Sequence, residues 1–276
     1  MNPVTEVGLL TARELRKNLR SAKGLVLLVL CVLGAIATAL LLARAKQIGA
    51  EHNADTAQMK EANEQFLTDF YDKSVAHSMA DTPAVALMML IGTVWLAPMF
   101  IALLAFDSIS AELQHRSVRY WTVRMRRASF YVGKVTGVFS VVAVITLAMH
   151  ALAWGIAIAR GASGFGETVS WGLHLWAASL PIQLAWCSLA VFISSLSKTP
   201  ILALLFSFAA NFAMWLIYVI GKARKTEELT YLYPNRFDVW LLSPDASTVV
   251  QGVLACMAFV VVFSGVGVFL FQRRDV

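Results

Sequence analysis

Six stretches of the chain, 24–43, 84–106, 135–159, 173–195, 199–220 and 249–271, contain no Asp, Glu, Lys or Arg. A helix rises about 1.5 Å per residue, so roughly 20 apolar residues cross the ~30 Å hydrocarbon layer of a bilayer once. Each stretch is long enough to do so. Inside lipid every backbone N–H and C=O must be satisfied within its own segment, which predicts helices rather than strands. The fold class is therefore all-α, a polytopic membrane protein with six transmembrane helices over 24–276. Polar sequence precedes the first span over 1–23 and separates later spans over 44–83, 107–134 and 221–248.

Shorter periodicities organise these polar segments. Gly8, Ala12, Leu15, Leu19 and Ala22 recur at helical spacing, with Arg13, Arg16, Lys17, Arg20 and Lys23 on the other side. The pattern predicts an amphipathic helix lying in the cytoplasmic interface and leading into the first span. In 44–83, Phe66 and Phe70 stand four residues apart near Met59 and Leu67. They predict an external helix packed against the other external loop. That loop, 221–248, holds Tyr231, Tyr233, Pro234, Trp240, Leu241, Leu242 and Pro244. Short helices dipping back into the membrane and an aromatic cap over the bundle both fit.

Composition agrees with a membrane chain: 58% of residues are hydrophobic and 14% charged, which leaves too little contiguous polar sequence for a soluble catalytic domain. Charge sets the expected orientation. Lys and Arg outnumber acids in 1–23, 107–134, the 196–198 turn and the tail after 271, while acids outnumber cations in the alternate segments taken together. The positive-inside rule then places both termini and the 107–134 loop in the cytoplasm, with 44–83 and 221–248 outside. Trp154, Trp171, Trp176, Trp215 and Tyr218 lie near the expected outer ends of their spans, where interfacial aromatics belong. The first span is longer than a signal-peptide core and is expected to be retained. Cys31, Cys187 and Cys256 all fall in spans and imply neither a disulfide framework nor a metal site.

Candidate chemistry inside the spans is sparse. His150, Gln183 and Asn211 either bond neighbouring helices or line a translocation path. Pro98 and Pro181 are candidate kinks. No span carries Asp or Glu. An intramembrane enzyme and an ion-coupled secondary transporter, which place ionisable groups there, are therefore the weaker alternatives. Neither Gly133-Lys134-Val135 nor Gly221-Lys222-Ala223 completes a P-loop, so ATP hydrolysis is not expected of this chain.

The 107–134 loop carries the strongest pattern. Ser108 or Ser110 can cap a helix start with Glu112 in its first turn. Beyond it, Arg116, Arg119, Tyr120, Trp121, Arg124, Arg126 and Arg127 mix cations with aromatics. Contact with lipid headgroups and docking of a soluble partner both suit such a surface.

In Glu112, Arg116-Ser117-Val118, Arg127 and Gly133-Lys134 the loop resembles the permease subunits of type-2 ATP-binding-cassette (ABC) exporters. Those carry an acid after span two, a Gly-Thr-Leu-like turn, a Pro-x-x-Arg element and a Gly-Lys opening span three; Arg124 here replaces the proline. Leu232-Tyr233-Pro234, Leu241-Leu242-Ser243-Pro244 and the ending with Phe269, Phe271, Arg273, Arg274 and Asp275 are similar to the family too. The resemblance implies a coupling helix in the loop, with Glu112, Arg116, Arg119, Arg124 and Arg127 docking a separate ABC ATPase that carries ATP and Mg. It also implies a homodimer or a paired related permease in a bacterial-type inner (plasma) membrane, driving substrate movement or mechanical work. Membrane lipids are expected partners. A bound cofactor, metal or nucleic acid is not.

Overall fold

The computed structural model describes residues 2–51, 56–68 and 71–274. Phe70 of the expected Phe66/Phe70 pair and the side chain of Met59 lie outside them. The described residues form α-helices and one 3-10 turn, with no strand among them. Six helices are long and apolar enough to cross a membrane: α2 (Ala22–Glu51), α5 (Ala84–Ala105), α8 (Arg127–Ala159), α9 (Phe165–Leu196), α10 (Pro200–Arg224) and α13 (Ala246–Arg273). The protein is an all-α polytopic membrane protein. Most of these helices run past the predicted spans, because an uncharged stretch ends at the first charge while the hydrogen-bond ladder continues into the polar zone. Side chains fix several ends. Thr199 caps α10 ahead of Pro200, and Asp245 caps α13 by accepting the Ser247 and Thr248 N–H groups. Hydrogen bonds from Ser247 and Thr248 hold the Asp245 carboxyl down at about 2.

α9 is the central helix, packed on α5, α8 and α13; α2 lies on α8 and α5, and α10 on α9 and α5. The most apolar stretch of α9 is 67% buried against 11% for those of α10 and α13, so the outer helices offer most of the surface available to lipid or a neighbouring subunit.

Short helices fill the connections. α1 (Pro3–Arg20) precedes α2; α3 (Thr56–Thr68) and α4 (Lys73–Ser78) join α2 to α5; α6 (Ser110–Gln114) and α7 (Val118–Arg124) join α5 to α8. Leu67, Tyr71 and Val75 share the main core with Tyr233 and Phe237, so the first of these connections packs against the 221–248 segment. That segment forms α11 (Glu227–Thr230), the 3-10 turn Pro234–Phe237 and α12 (Asp238–Leu241).

Its path decides between the two readings left open above. Pro98 has no N–H, which orphans the Val94 carbonyl one turn earlier in α5. Asn235 Nδ2 donates to that carbonyl at 2.8 Å, while Asn235 Oδ1 accepts Trp186 Nε1 at 2.7 Å. Val94 lies ten residues below Ala84, so the turn reaches about 15 Å down α5. The segment is re-entrant. Phe237 packs on Phe259 of α13, and Tyr233 on Trp186 and Tyr218. The backbone at that depth is thereby covered by protein.

α1 makes a contact that its apolar pattern did not announce. Its buried residues are Glu6, Leu10, Glu14 and Asn18, four apart, whereas Gly8, Ala12 and Ala22 of the expected apolar face are exposed and Leu15 and Leu19 only half-buried. The helix is seated on α8 by this third face, because Arg126 and Ser129 receive Glu6 and Lys134 receives Glu14.

Candidate functional site

α1 meets α8 at a small-residue groove. A Cβ at Gly133 would stand 2.8 Å from Leu10 Cδ2, and one at Gly137 2.6 Å from Glu14 Cβ. Two glycines four apart thus let the helix backbones approach. Beside them Thr11 and Thr136 hydroxyls bond at 2.6 Å. At the start of this contact Glu6 Oε2 accepts the backbone N–H of Arg126, the N-cap residue of α8, at 3.3 Å. A hydrogen bond from Ser129 holds the Glu6 carboxyl below its usual range. A carboxylate from one helix thereby caps the positive end of another.

One turn above lies an ion cluster. Lys134 Nζ is 2.8 Å from Glu14 Oε1 and 2.5 Å from Glu112 Oε1, and all three residues are buried. Arg13 Nη1 lies 4.0 Å from the same Glu112 oxygen, and its guanidinium sits 4.1 Å over the Trp121 ring. Charges survive burial only when paired, so one ammonium shared by two carboxylates ties α1, α6 and α8 together. Glu14 Oε2 and Glu112 Oε2 find no partner there.

The start of α6 is fixed differently from expectation. Neither Ser108 nor Ser110 caps it. Instead Ser194 Oγ of α9 accepts the Ile109 and Ser110 N–H groups, each at 3.1 Å, and donates to the Phe106 carbonyl at 2.8 Å. Lys23 of α2 pairs with Asp107 and donates to Leu104 O. The α6–α7 connection is thus anchored to α1, α2, α8 and α9.

The five expected docking residues separate into two groups. Glu112 is buried in the cluster, and Arg127 donates to the carbonyls of Gln272 and Arg274 at 2.8 and 2.9 Å. Both fasten this chain to itself. Arg116, Arg119 and Arg124 are exposed on or beside α7, with Tyr120 under the Arg124 guanidinium at 4.1 Å and Val123 86% exposed. Arg116 adopts φ +57° in the tight turn joining α6 to α7. The sequence reading missed Glu14 as an anchor and used Lys134 only as half of a Gly-Lys match. The signal was present as Glu6, Leu10, Glu14 and Asn18 at intervals of four.

His150 and Gln183 are brought into one network. His150 Nδ1 donates to Thr146 O at 2.7 Å, Trp176 Nε1 donates to Thr146 Oγ1, and Thr146 Oγ1 lies 3.5 Å from Gln183 Oε1. Asn211 is elsewhere, donating to Pro98 O at 2.9 Å. All three join helices, His150 through Thr93 Oγ1 of α5 at 3.5 Å from its Nε2.

Arg127 supplies a local prediction. Arg127→Ala should remove the two bonds to the last turn of α13 and destabilise that end by about 1–2 kcal/mol. The check is faster amide hydrogen exchange over 269–274 with little change in the rest of the bundle. No known protein-family model and no curated protein sequence matches this chain.

Proposed function

We propose that this chain is the permease subunit of an ATP-driven ABC exporter of the type-2 class, paired with a second copy or a related permease in a bacterial-type inner membrane. The end bearing α1 then faces the cytoplasm. One observation carries this reading: the exposed cations and aromatics of α7 are fastened through the Glu14–Lys134–Glu112 cluster and Ser194 to α1, α8 and α9. A surface held this rigidly passes displacement to the spans instead of absorbing it.

ATP and Mg reside on the partner. When two such ATPases close, they push on α7, and the linked helices move as one body between two packings of the bundle. Arg116, Arg119 and Arg124 make the contact. Glu112 and Arg127 preserve the shape of what is pushed.

The test uses the exposed residues, since replacing Glu112 or Arg127 would confound coupling with stability. Tagged chain extracted in mild detergent should copurify a P-loop ATPase identifiable by mass spectrometry. The double variant Arg119→Glu and Arg124→Glu should retain less than about a tenth of it, since reversing two interface charges costs several kcal/mol, with an unchanged melting temperature. Undiminished copurification would remove α7 as the docking element, and no ATPase with the unaltered chain would remove the family reading.

A further inference from the structure

At the end of the bundle opposite α1 a cleft of about 370 Å³ opens between the outer end of α10, the re-entrant segment and α5. Gly221, Thr230, Tyr233 and Asn235 are its buried residues, and Trp95 and Tyr218 also line it. Three cations contribute: Lys222, Lys225 and Arg236. Among the described residues none of their side chains forms an ion pair or donates a hydrogen bond within the chain; Lys222 lies 5.3 Å from the Tyr218 ring centre. Asp72 and Glu227 are exposed at the rim, and Asp238 is half-buried.

Asp238 is the group without an evident structural duty. Among the described residues its carboxyl is hydrogen-bonded only by backbone N–H groups, that of Val239 at 2.7 Å and its own, and no side chain pairs with it. Carboxylates carried below a membrane surface are functional candidates by default. The groups facing it are Arg236 from the 3-10 turn, Lys222 from α10, Tyr233 ahead of the turn, Tyr71 ahead of α4 and Cys256 from α13. Burial pushes its carboxyl up to about 7, against the smaller opposing pull of Arg236 and Lys222.

We propose that this cleft binds a phosphodiester oxyanion together with a proton on Asp238. With Asp238 neutral, three cations face two rim acids and the cleft is net positive; with Asp238 ionised the excess disappears. Lys222, Lys225 and Arg236 supply charge-assisted bonds to the phosphate oxygens, and the protonated carboxyl donates one more. Trp95, Tyr218 and Tyr233 offer apolar surface to the groups the phosphate joins. A phosphodiester reaches this position either as a soluble molecule or as the headgroup of a phospholipid. The site does not depend on the ATPase reading.

The probe is glycerophosphoglycerol, whose single negative charge is constant across the range used, titrated calorimetrically into the full chain in a maltoside detergent, which carries no phosphate, at pH 6 and pH 8. If only the protonated form binds, apparent affinity falls about tenfold between the two as the competent fraction falls. Asp238→Asn, a neutral isostere, should bind equally at both pH values, and Lys222→Gln at the exposed rim should weaken binding at both. Nanodiscs containing phosphatidylglycerol separate the sources: competition with the probe identifies the lipid headgroup, and its lack a soluble ligand. No saturable binding at pH 6, pH dependence that survives Asp238→Asn, or indifference to Lys222→Gln would each overturn the proposal.

Discussion

Lys134→Met is expected to destabilise the protein by about 3–5 kcal/mol, the usual cost of stranding a buried charge. Among the described residues the ammonium is the only group bonded to the buried carboxylates of both Glu14 and Glu112, and each already has one oxygen without a partner there. Removing it leaves two like charges side by side in a dry site. Methionine preserves most of the volume, so the loss reads charge and not packing. The triple variant with Glu14→Gln and Glu112→Gln should recover most of the stability, because replacing all members of a buried ionic group removes the stranded charge. Thermal unfolding in a fixed detergent compares the three proteins. A single variant that melts with the unaltered chain would mean that the cluster does not hold α1, α6 and α8 together.

Asn235→Leu should cost about 2–5 kcal/mol by orphaning both the Val94 carbonyl and the Trp186 indole N–H, at about 1–3 kcal/mol each. Both residues are 1% exposed, so water cannot substitute. Pro98→Ala supplies the N–H that α5 lacks. In that background half the duty of Asn235 is already met, and the same substitution should cost about 1–2 kcal/mol less. A double-mutant cycle on unfolding free energies measures the difference. Equal cost in the two backgrounds would contradict the link between the α5 proline and the re-entrant turn.

The six spans were legible because absence of charge over a membrane thickness admits one solution. The apolar composition of 221–248 showed that the segment could not be an ordinary solvated loop. Its depth was not legible, since that follows from one carbonyl freed by Pro98 and one amide 141 positions further along the chain. The seat of α1 on α8 was not legible for a related reason. An amphipathic pattern assumes that polar residues seek water, whereas Glu6 and Glu14 seek the α8 N-terminus and Lys134. Capping of α6 by Ser194 likewise crosses from one span to another, invisible to a search for a local serine. Within the expected docking set, residue type alone does not distinguish Arg127, bonded to its own chain end, from Arg119 and Arg124 at the surface.

The seating of α1 between Gly133 and Gly137 also fixes an order of events during synthesis. A chain emerges N-terminal end first. Glu14 is made long before Lys134 exists, so the first span must be inserted and oriented while the polar face of α1 still meets water or headgroups. Closure of the cluster can follow only when α8 has been delivered to the bilayer. A nascent chain halted ahead of residue 134 carries the acids of α1 without their partner, and the assembled bundle is the first state in which that face is dry.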